Sequence, residues 1–246
     1  MADLLTEGLL ALCDTDPGIL GLVKPRFDET AVLLGKYMDE IEALNPIYGL
    51  VKVSGREELV VKHILDSLAP LGHIVRILTA GGKEFHLADA GSGAGLPGIP
   101  LAICLHGVKV SLIERMTRRA DFLRNVTAIL KLSNVTVEET EMEKAPAGRF
   151  DIVVFRAFRP LEKAVLEGLF RLLVPGGHLA AYKGKRQKIE QEAAGLPAEQ
   201  REIHPLFVPF LNEERHIVII KKEPDAASGD SREALIYSIE NKSVLL

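Results

Sequence analysis

The 246-residue sequence contains no tryptophan, only two cysteines and few aromatic residues, which make up 5% of the chain. Cys13 and Cys104 show no metal-ligand spacing, so we expect no metal site, and this cysteine usage fits a reducing cytoplasm. No apolar run approaches the roughly 20 residues that span a bilayer, and the first residues lack a signal-peptide pattern. We therefore expect a globular cytoplasmic protein with no membrane partner.

The chain also lacks an excess of positive charge, since its net charge is −4. This excludes a nucleic-acid binder that is basic throughout. Basic residues nevertheless gather in two places, each after a predicted strand: Arg115, Arg118, Arg119, Arg124 and Lys131, then Lys183, Lys185, Arg186 and Lys188. Either run alone is typical of a solvated face. Because both follow strand ends in an alternating fold, we expect both near the rim of one cleft.

The most informative stretch is F-H-L-A-D-A-G-S-G-A-G-L-P-G-I-P, residues 85–100. Its apolar start predicts a short buried strand that stops at Asp89, followed by a glycine-rich turn and a helix that opens at Leu96. Pro97 and Pro100 suit the first turn of that helix, where backbone N–H groups have no helical partner. A strand, a tight turn and a helix N-terminus together predict a ligand site.

Two ligands fit this stretch. Gly93, Gly95 and Gly98 spell the dinucleotide pattern G-x-G-x-x-G, whereas Asp89, Gly91, Gly93 and Gly95 spell D-x-G-x-G-x-G, the motif of S-adenosylmethionine-dependent methyltransferases. A carboxylate at the strand end suits the ammonium group of S-adenosylmethionine and would repel a pyrophosphate. The spacing favours a methyltransferase. An NAD-dependent oxidoreductase and a non-catalytic RNA- or ribosome-binding module remain as alternatives.

Residues 1–80 predict an N-terminal helical cap. A helical stripe begins at Phe27 and runs to Ile41, and Pro46 is expected to end that helix. Ser54 and Glu57 form an S-x-x-E capping box for the next helix. Residues 81–222 are expected to form the main domain, and residues 223–246 a flexible tail.

Strands and helices alternate from residue 85 onward. The expected strands after the first are Val108 to Ile113, a strand marked by Val135 and Val137, Asp151 to Phe155, His178 to Lys183, Ile203 to Val208 and His216 to Ile220. A Pro175-Gly176-Gly177 turn is expected before the fifth strand. The pattern predicts an α/β fold with a doubly wound, mostly parallel seven-stranded sheet, an antiparallel edge and an N-terminal helical extension.

Two side chains at predicted strand ends suit ligand binding. Glu114, which ends the second strand, can accept both hydrogen bonds of a ribose diol. Arg156 ends the fourth strand, where ligands bind in such sheets, although a salt bridge with Asp151 or another nearby acid would be its ordinary role.

Several segments resemble the bacterial RsmG family, also called GidB, the 16S ribosomal RNA guanine-N7 methyltransferases. The matching segments, in family order, are His63 to Ser67, Asp89 to Leu101, Arg118 to Leu123, Arg156 to Phe158, Tyr182 to Gly184 and Glu214 to Ile220. The resemblance implies a Rossmann-like class I methyltransferase fold, S-adenosyl-L-methionine as cofactor and 16S ribosomal RNA of the small subunit as partner; we expect a monomer. The family commonly has Asp where Glu114 stands and Lys where Arg118 stands, and both changes preserve charge.

The expected cofactor-binding residues are Asp89, Gly91, Gly93, Gly95, Leu96, Glu114, Arg115, Met116, Met142, Glu143 and Arg156. The residues expected to bind RNA phosphates are Arg118, Arg119, Lys183, Lys185, Arg186, Arg215 and His216. Phe155, Phe158 or Tyr182 could stack on a base, although core packing is the usual role of such residues. Since guanine N7 carries a lone pair and no proton, no catalytic base is expected, and Arg156 is the candidate positioning residue.

Overall fold

One mixed sheet of seven strands runs through the computed structural model, which describes residues 3–79, 84–156, 162–193 and 201–223. The strands are β1 (His86–Ala90), β2 (Lys109–Glu114), β3 (Val135–Glu139), β4 (Phe150–Arg156), β5 (Leu173–Lys183), β6 (Arg201–Leu206) and β7 (Arg215–Lys221). Their order across the sheet is β3-β2-β1-β4-β5-β7-β6. The first five strands pair in parallel, and β7 pairs antiparallel with both β5 and β6. This confirms the Rossmann-like methyltransferase fold with an antiparallel edge.

Helices cover both faces of the sheet. They are α1 (Leu4–Thr15), α2 (Pro17–Val23), α3 (Phe27–Tyr48), α4 (Arg56–Leu59), α5 (Asp66–Leu68), α6 (Leu71–Thr79), α7 (Gly98–Cys104), α8 (Thr117–Ile129), α9 (Lys163–Leu172) and α10 (Arg186–Glu192). A 3₁₀ turn (Lys24–Arg26) precedes α3, and a π-helical segment (Val60–Leu65) joins α4 to α5. One buried cluster packs α7, α8 and the N-terminal helices against the sheet, and a second packs α9 and α10. No helix within the described ranges is long and apolar enough to cross a membrane.

The N-terminal helices differ from the prediction at two boundaries. Pro46 does not end α3, which continues to Tyr48 and stops at Gly49, whose left-handed conformation (φ 59°) lets its N–H donate to the Asn45 carbonyl. A proline in the last turn removes one helical hydrogen bond only, so the helix tolerates it. The capping box at Ser54 also forms differently, because Glu58 rather than Glu57 accepts hydrogen bonds from the Ser54 N–H and hydroxyl, both at 2.7 Å.

The fifth strand begins earlier than expected. Pro175, Gly176 and Gly177 lie within β5 instead of preceding it, and the pairing register with β4 shifts between Phe150 and Ile152. Gly176 has φ 76°, so the turn-forming residues produce a bulge in a continuous strand. Similarly, α7 begins at Gly98 rather than at Leu96. The expected division at residue 80 lies outside the described residues, and so does the expected tail of residues 223–246 apart from Glu223.

Polar side chains join the N-terminal helices to the sheet. The Tyr37 hydroxyl donates to the Ala94 carbonyl (2.7 Å) in the glycine-rich loop, and the Tyr182 hydroxyl donates to the Ser67 carbonyl (2.9 Å). Asp66 accepts hydrogen bonds from two guanidinium groups, Arg156 Nη1 at 3.0 Å and Arg215 Nε at 3.0 Å. The Asp66 side chain is 8% exposed, so these ion pairs lie largely out of water.

We expect Asp66→Ala to lower the free energy of unfolding by about 2 kcal/mol, because it leaves two poorly hydrated guanidinium groups without their carboxylate. Asp39→Ala is the matched control, because it removes a surface ion pair with Arg56 in which the Asp39 side chain is 65% exposed. This substitution should lower the free energy of unfolding by at most about 0.5 kcal/mol. Urea unfolding midpoints measure both values. Equal effects of the two substitutions would show that the Asp66 ion pairs do not stabilise the fold.

Candidate functional site

Asp89 lies under the glycine-rich loop, one residue before the end of β1. The residue is 1% exposed, and Oδ2 accepts a hydrogen bond from the Gly98 N–H at 2.9 Å. Oδ1 is buried and has no hydrogen-bond partner in the described part of the chain. Burial raises the pKa of the Asp89 carboxyl to about 7; the Gly98 hydrogen bond and Arg156 act against that rise, and Glu114 adds to it.

The start of α7 packs directly on this carboxylate. A Cβ atom at Gly98 would lie 2.7 Å from Asp89 Oδ2 and 2.4 Å from a methyl carbon of Leu112, so a side chain would push the helix away. In a dinucleotide site the pyrophosphate would lie at the N-terminus of this helix, which begins at Gly98. Because a buried carboxylate already accepts it, the geometry argues against the dinucleotide interpretation.

Glu114 holds the loop from the neighbouring strand. Its Oε2 accepts a hydrogen bond from the Gly93 N–H (2.9 Å) and its Oε1 accepts one from the Met116 N–H (2.8 Å). The residue is 4% exposed. Since each carboxylate oxygen has more than one acceptor site, the two backbone bonds fix the carboxylate and still leave it able to accept from a ligand.

A cavity of about 550 Å³ opens beside Glu114, and we call it the Glu114 cavity. Six of the predicted cofactor-binding residues line it: Gly91, Glu114, Arg115, Met116, Met142 and Glu143. The other predicted residues of the loop, Asp89, Gly93, Gly95 and Leu96, do not line this cavity and instead build the loop next to it. Arg119, which the sequence suggested for RNA, lines it as well. No sequence signal separated Arg119 from its neighbour Arg118, which is exposed.

A second cavity, of about 710 Å³, lies where β4, β5 and β7 come together. We call it the Arg156 cavity; its charged and aromatic lining comprises Lys62, His63, Asp66, Arg156, Tyr182, Lys183, Lys185, Lys188, Glu192, Arg215 and His216. Strand direction explains this grouping. Parallel β4 and β5 end at Arg156 and Lys183, and antiparallel β7 begins at the same edge because His216 pairs with Lys183.

Arg156 is held by the π-helical segment and by α5. Its guanidinium donates to the Lys62 carbonyl (3.1 Å) and to Asp66 Oδ2 (3.0 Å), and Nη2 lies 3.1 Å from His63 Nδ1. Burial and, after it, the positive charge of Arg156 lower the pKa of His63 to about 4, so the imidazole is neutral and accepts at Nδ1. Asp151, the acid that the sequence suggested as a partner, accepts instead from the His86 backbone N–H.

The residues expected to bind RNA differ in accessibility. Lys183 pairs with Glu192 (2.7 Å), and Arg186 with Glu190 (3.0 Å). His216 is 6% exposed and donates from Nδ1 to the Gly184 carbonyl (2.7 Å), a packing role that withdraws it from any RNA surface.

Two cations of that set stand out. Arg118 and Lys185 are exposed, and neither has an ion pair with another described residue. Arg118 lies on α8, whereas Lys185 lines the Arg156 cavity.

Two of the three aromatic residues considered for base stacking are buried. Phe155 is 1% exposed and Tyr182 is 6% exposed, so both pack in the interior, and Phe158 lies outside the described residues. The described ranges contain no group of three or more His, Cys, Asp or Glu side chains that could hold a metal ion.

The family model for GidB, rRNA small subunit methyltransferase G, matches residues 31–218 of this chain. A ribosomal RNA small subunit methyltransferase G from Treponema denticola is 39% identical over 249 residues, covering 89% of this chain and 96% of the relative. The protein of the same name from Aromatoleum aromaticum is also 39% identical, over 201 residues, covering 78% of this chain and 90% of the relative.

Among solved structures, a SAM-dependent methyltransferase from Aquifex aeolicus aligns with 64% of this chain and 91% of its own, at 19% identity and a TM-score of 0.48. The family model spans most of the chain, and relatives at 39% identity extend over most of its length. The chain therefore belongs to the rRNA small subunit methyltransferase G family, GidB.

Proposed function

We propose that the chain transfers a methyl group from S-adenosylmethionine to N7 of a guanine in the 16S RNA of the small ribosomal subunit. Membership of the family supports the reaction class and the RNA substrate. The observation that carries the cofactor assignment is the buried, unpartnered Oδ1 of Asp89 beneath the glycine-rich loop. A buried acceptor without a donor is costly, and the ammonium group of a bound cofactor would supply the missing donor.

The residues present fit this cofactor. Asp89 would receive the ammonium group, and Glu114, fixed by two backbone N–H groups, would accept from the ribose hydroxyls. Met142 and Glu143 would lie against the adenine in the Glu114 cavity. S-adenosylmethionine, when bound, supplies an electrophilic methyl group on a positively charged sulfur.

The protein's own task is to hold the acceptor atom in line. Guanine N7 carries an accessible lone pair and no proton, so the transfer requires no general base. This agrees with the two imidazoles that line the Arg156 cavity, because His63 accepts from Arg156 at Nδ1 and His216 donates at Nδ1 to a carbonyl. Orientation alone can contribute several kcal/mol to the reaction.

Arg156 suits a positioning role rather than a direct contact with the base. Methylation at N7 places a positive charge on the purine, which a free guanidinium beside it would oppose. In the Arg156 cavity the guanidinium is paired with Asp66, whose carboxylate also binds Arg215. The cluster therefore carries less net positive charge than its arginines alone suggest, and it fixes the wall of the cavity.

Transfer of tritium from methyl-labelled S-adenosylmethionine to small subunits from a strain lacking the enzyme tests the proposal. Label should appear in 16S RNA and, after digestion, as 7-methylguanosine. Subunits that already carry the modification are the control and should accept none. Absence of label from both, or thermal stabilisation by NAD rather than by S-adenosylhomocysteine, would overturn the proposed function.

Cofactor affinity should fall in acid. Because the pKa of Asp89 is raised to about 7, its carboxyl group is mostly ionised above pH 7 and mostly protonated below it. Only the ionised form attracts an ammonium group. We expect the Kd of S-adenosylhomocysteine to rise about 20-fold between pH 7.5 and pH 5.5. Isothermal titration calorimetry measures it.

Methylthioadenosine is the matched ligand control, because it shares the nucleoside and lacks the amino-acid part. Its Kd should change little over the same pH range. Asp89→Asn should weaken S-adenosylhomocysteine binding at pH 7.5 and remove most of the pH dependence. Parallel pH profiles for the two ligands would assign the titration to another group.

RNA binding should depend on the two exposed, unpaired cations. Arg118→Ala and Lys185→Ala should each reduce the slope of log Kd against log salt concentration by about 0.8, the contribution of one phosphate contact. Lys36→Ala, at an exposed position of α3, is the control and should leave the slope unchanged. Filter binding of 16S RNA at several salt concentrations gives the slopes, and equal slopes for all three variants would refute the assignment.

A further inference from the structure

Two phenylalanine rings are exposed on the segment that joins β6 to β7. Phe207 is 59% exposed and Phe210 is 55% exposed, whereas every other Phe and Tyr of the described ranges is buried or half-buried. Phenylalanine is among the residues most often buried. Two exposed rings within four residues of chain form an apolar surface that a partner can cover.

The backbone that carries these rings is anchored. Val208 is 3% exposed, and the Leu211 N–H donates to the Val208 carbonyl at 3.1 Å. Phe210 itself has φ 64°, a left-handed conformation that bulky residues rarely adopt and that persists only where the surroundings impose it. The exposure of the rings therefore belongs to an ordered turn.

The segment borders the Arg156 cavity. Its two ends, Leu206 and Arg215, pair with each other in the sheet, and both line that cavity. The two acids of the segment are engaged by cations or backbone: Glu213 accepts from Arg215 (3.1 Å), and Glu214 accepts from the Arg186 N–H (3.0 Å). Two exposed aromatic rings thus lie beside a cavity rich in lysine and arginine.

We propose that Phe207 and Phe210 stack on unpaired RNA bases next to the target guanine. Aromatic rings beside a basic groove are the means by which proteins bind single-stranded nucleic acid, with the cations on phosphates and the rings on bases. This proposal rests on the proposed function, and it adds that the substrate guanine lies in an unpaired segment whose neighbours are splayed out.

Substitution of the rings should separate stacking from simple apolar contact. Phe207→Ala and Phe210→Ala should each raise the KM for small subunits about 10-fold, with kcat and the Kd of S-adenosylhomocysteine little changed. Tyrosine at either position should restore KM, whereas leucine should not. Ile47→Ala, at a 68% exposed apolar position of α3, is the control and should leave KM unchanged.

Because the chain contains no tryptophan, Phe207→Trp and Phe210→Trp each create a unique fluorophore. Excitation at a wavelength selective for tryptophan should show quenching on addition of transcribed 16S RNA, since stacked bases quench indole emission. Unaltered thermal unfolding midpoints confirm that these variants fold.

The outcomes are distinguishable. Unchanged KM in the alanine variants, or tryptophan emission that RNA does not quench, would overturn the stacking proposal. A raised KM for subunits without quenching by naked RNA would also overturn it and would indicate a ribosomal protein as the partner. Failure of the wild-type chain to methylate any RNA would instead defeat the proposed function, and the quenching experiment would still decide whether the rings stack on bases.

Discussion

The geometry of the site depends on a hydrogen bond between a buried carboxylate and the first residue of a helix. The Gly98 N–H donates to Asp89 Oδ2, and the absence of a side chain at Gly98 lets α7 start on top of the carboxylate. Removing a charge from water is expensive, and the pKa of Asp89, raised to about 7, reflects that cost. Glu114, at the end of the neighbouring strand β2, also holds the loop, because its carboxylate accepts a hydrogen bond from the Gly93 N–H. The loop between them is thereby fixed in shape before a ligand arrives.

The position of most strands followed from local sequence because they are short apolar runs bounded by turn residues. Secondary structure matches the prediction from the hydrophobic pattern wherever no tertiary contact opposes the local preference for strand, helix or turn. It departs from the pattern where tertiary pairing outweighs a local signal: the Pro175-Gly176-Gly177 triplet becomes a bulge because β4 pairs with β5 both before the triplet, at Leu173, and after it, from His178 onward. Likewise Pro46 stays helical, because Asn45 fixes the exit of α3 through two hydrogen bonds with Val51.

From the sequence, the site residues that could be predicted are those at the ends of parallel strands and in the loops that follow them. Six expected residues meet around one cavity because parallel strands deliver their last residues to the same edge. Contacts between distant segments were not predictable in the same way. The sequence shows a helical turn at His63 and Asp66, but not that this turn binds Arg156 some 90 residues later. The exposure of individual side chains could not be predicted either, since no local sequence feature distinguishes buried Phe155 from exposed Phe207.

The pairing of Asp66 with Arg215 has a consequence for biosynthesis. The two residues are 149 positions apart, so a nascent chain lacks one wall of the Arg156 cavity until β7 has left the exit tunnel. Chains fold from the N-terminus during translation, and the early helices exist well before that strand does. The Arg156 cavity is therefore among the last parts of the described structure to be completed, after the N-terminal helices and the first five strands have been made.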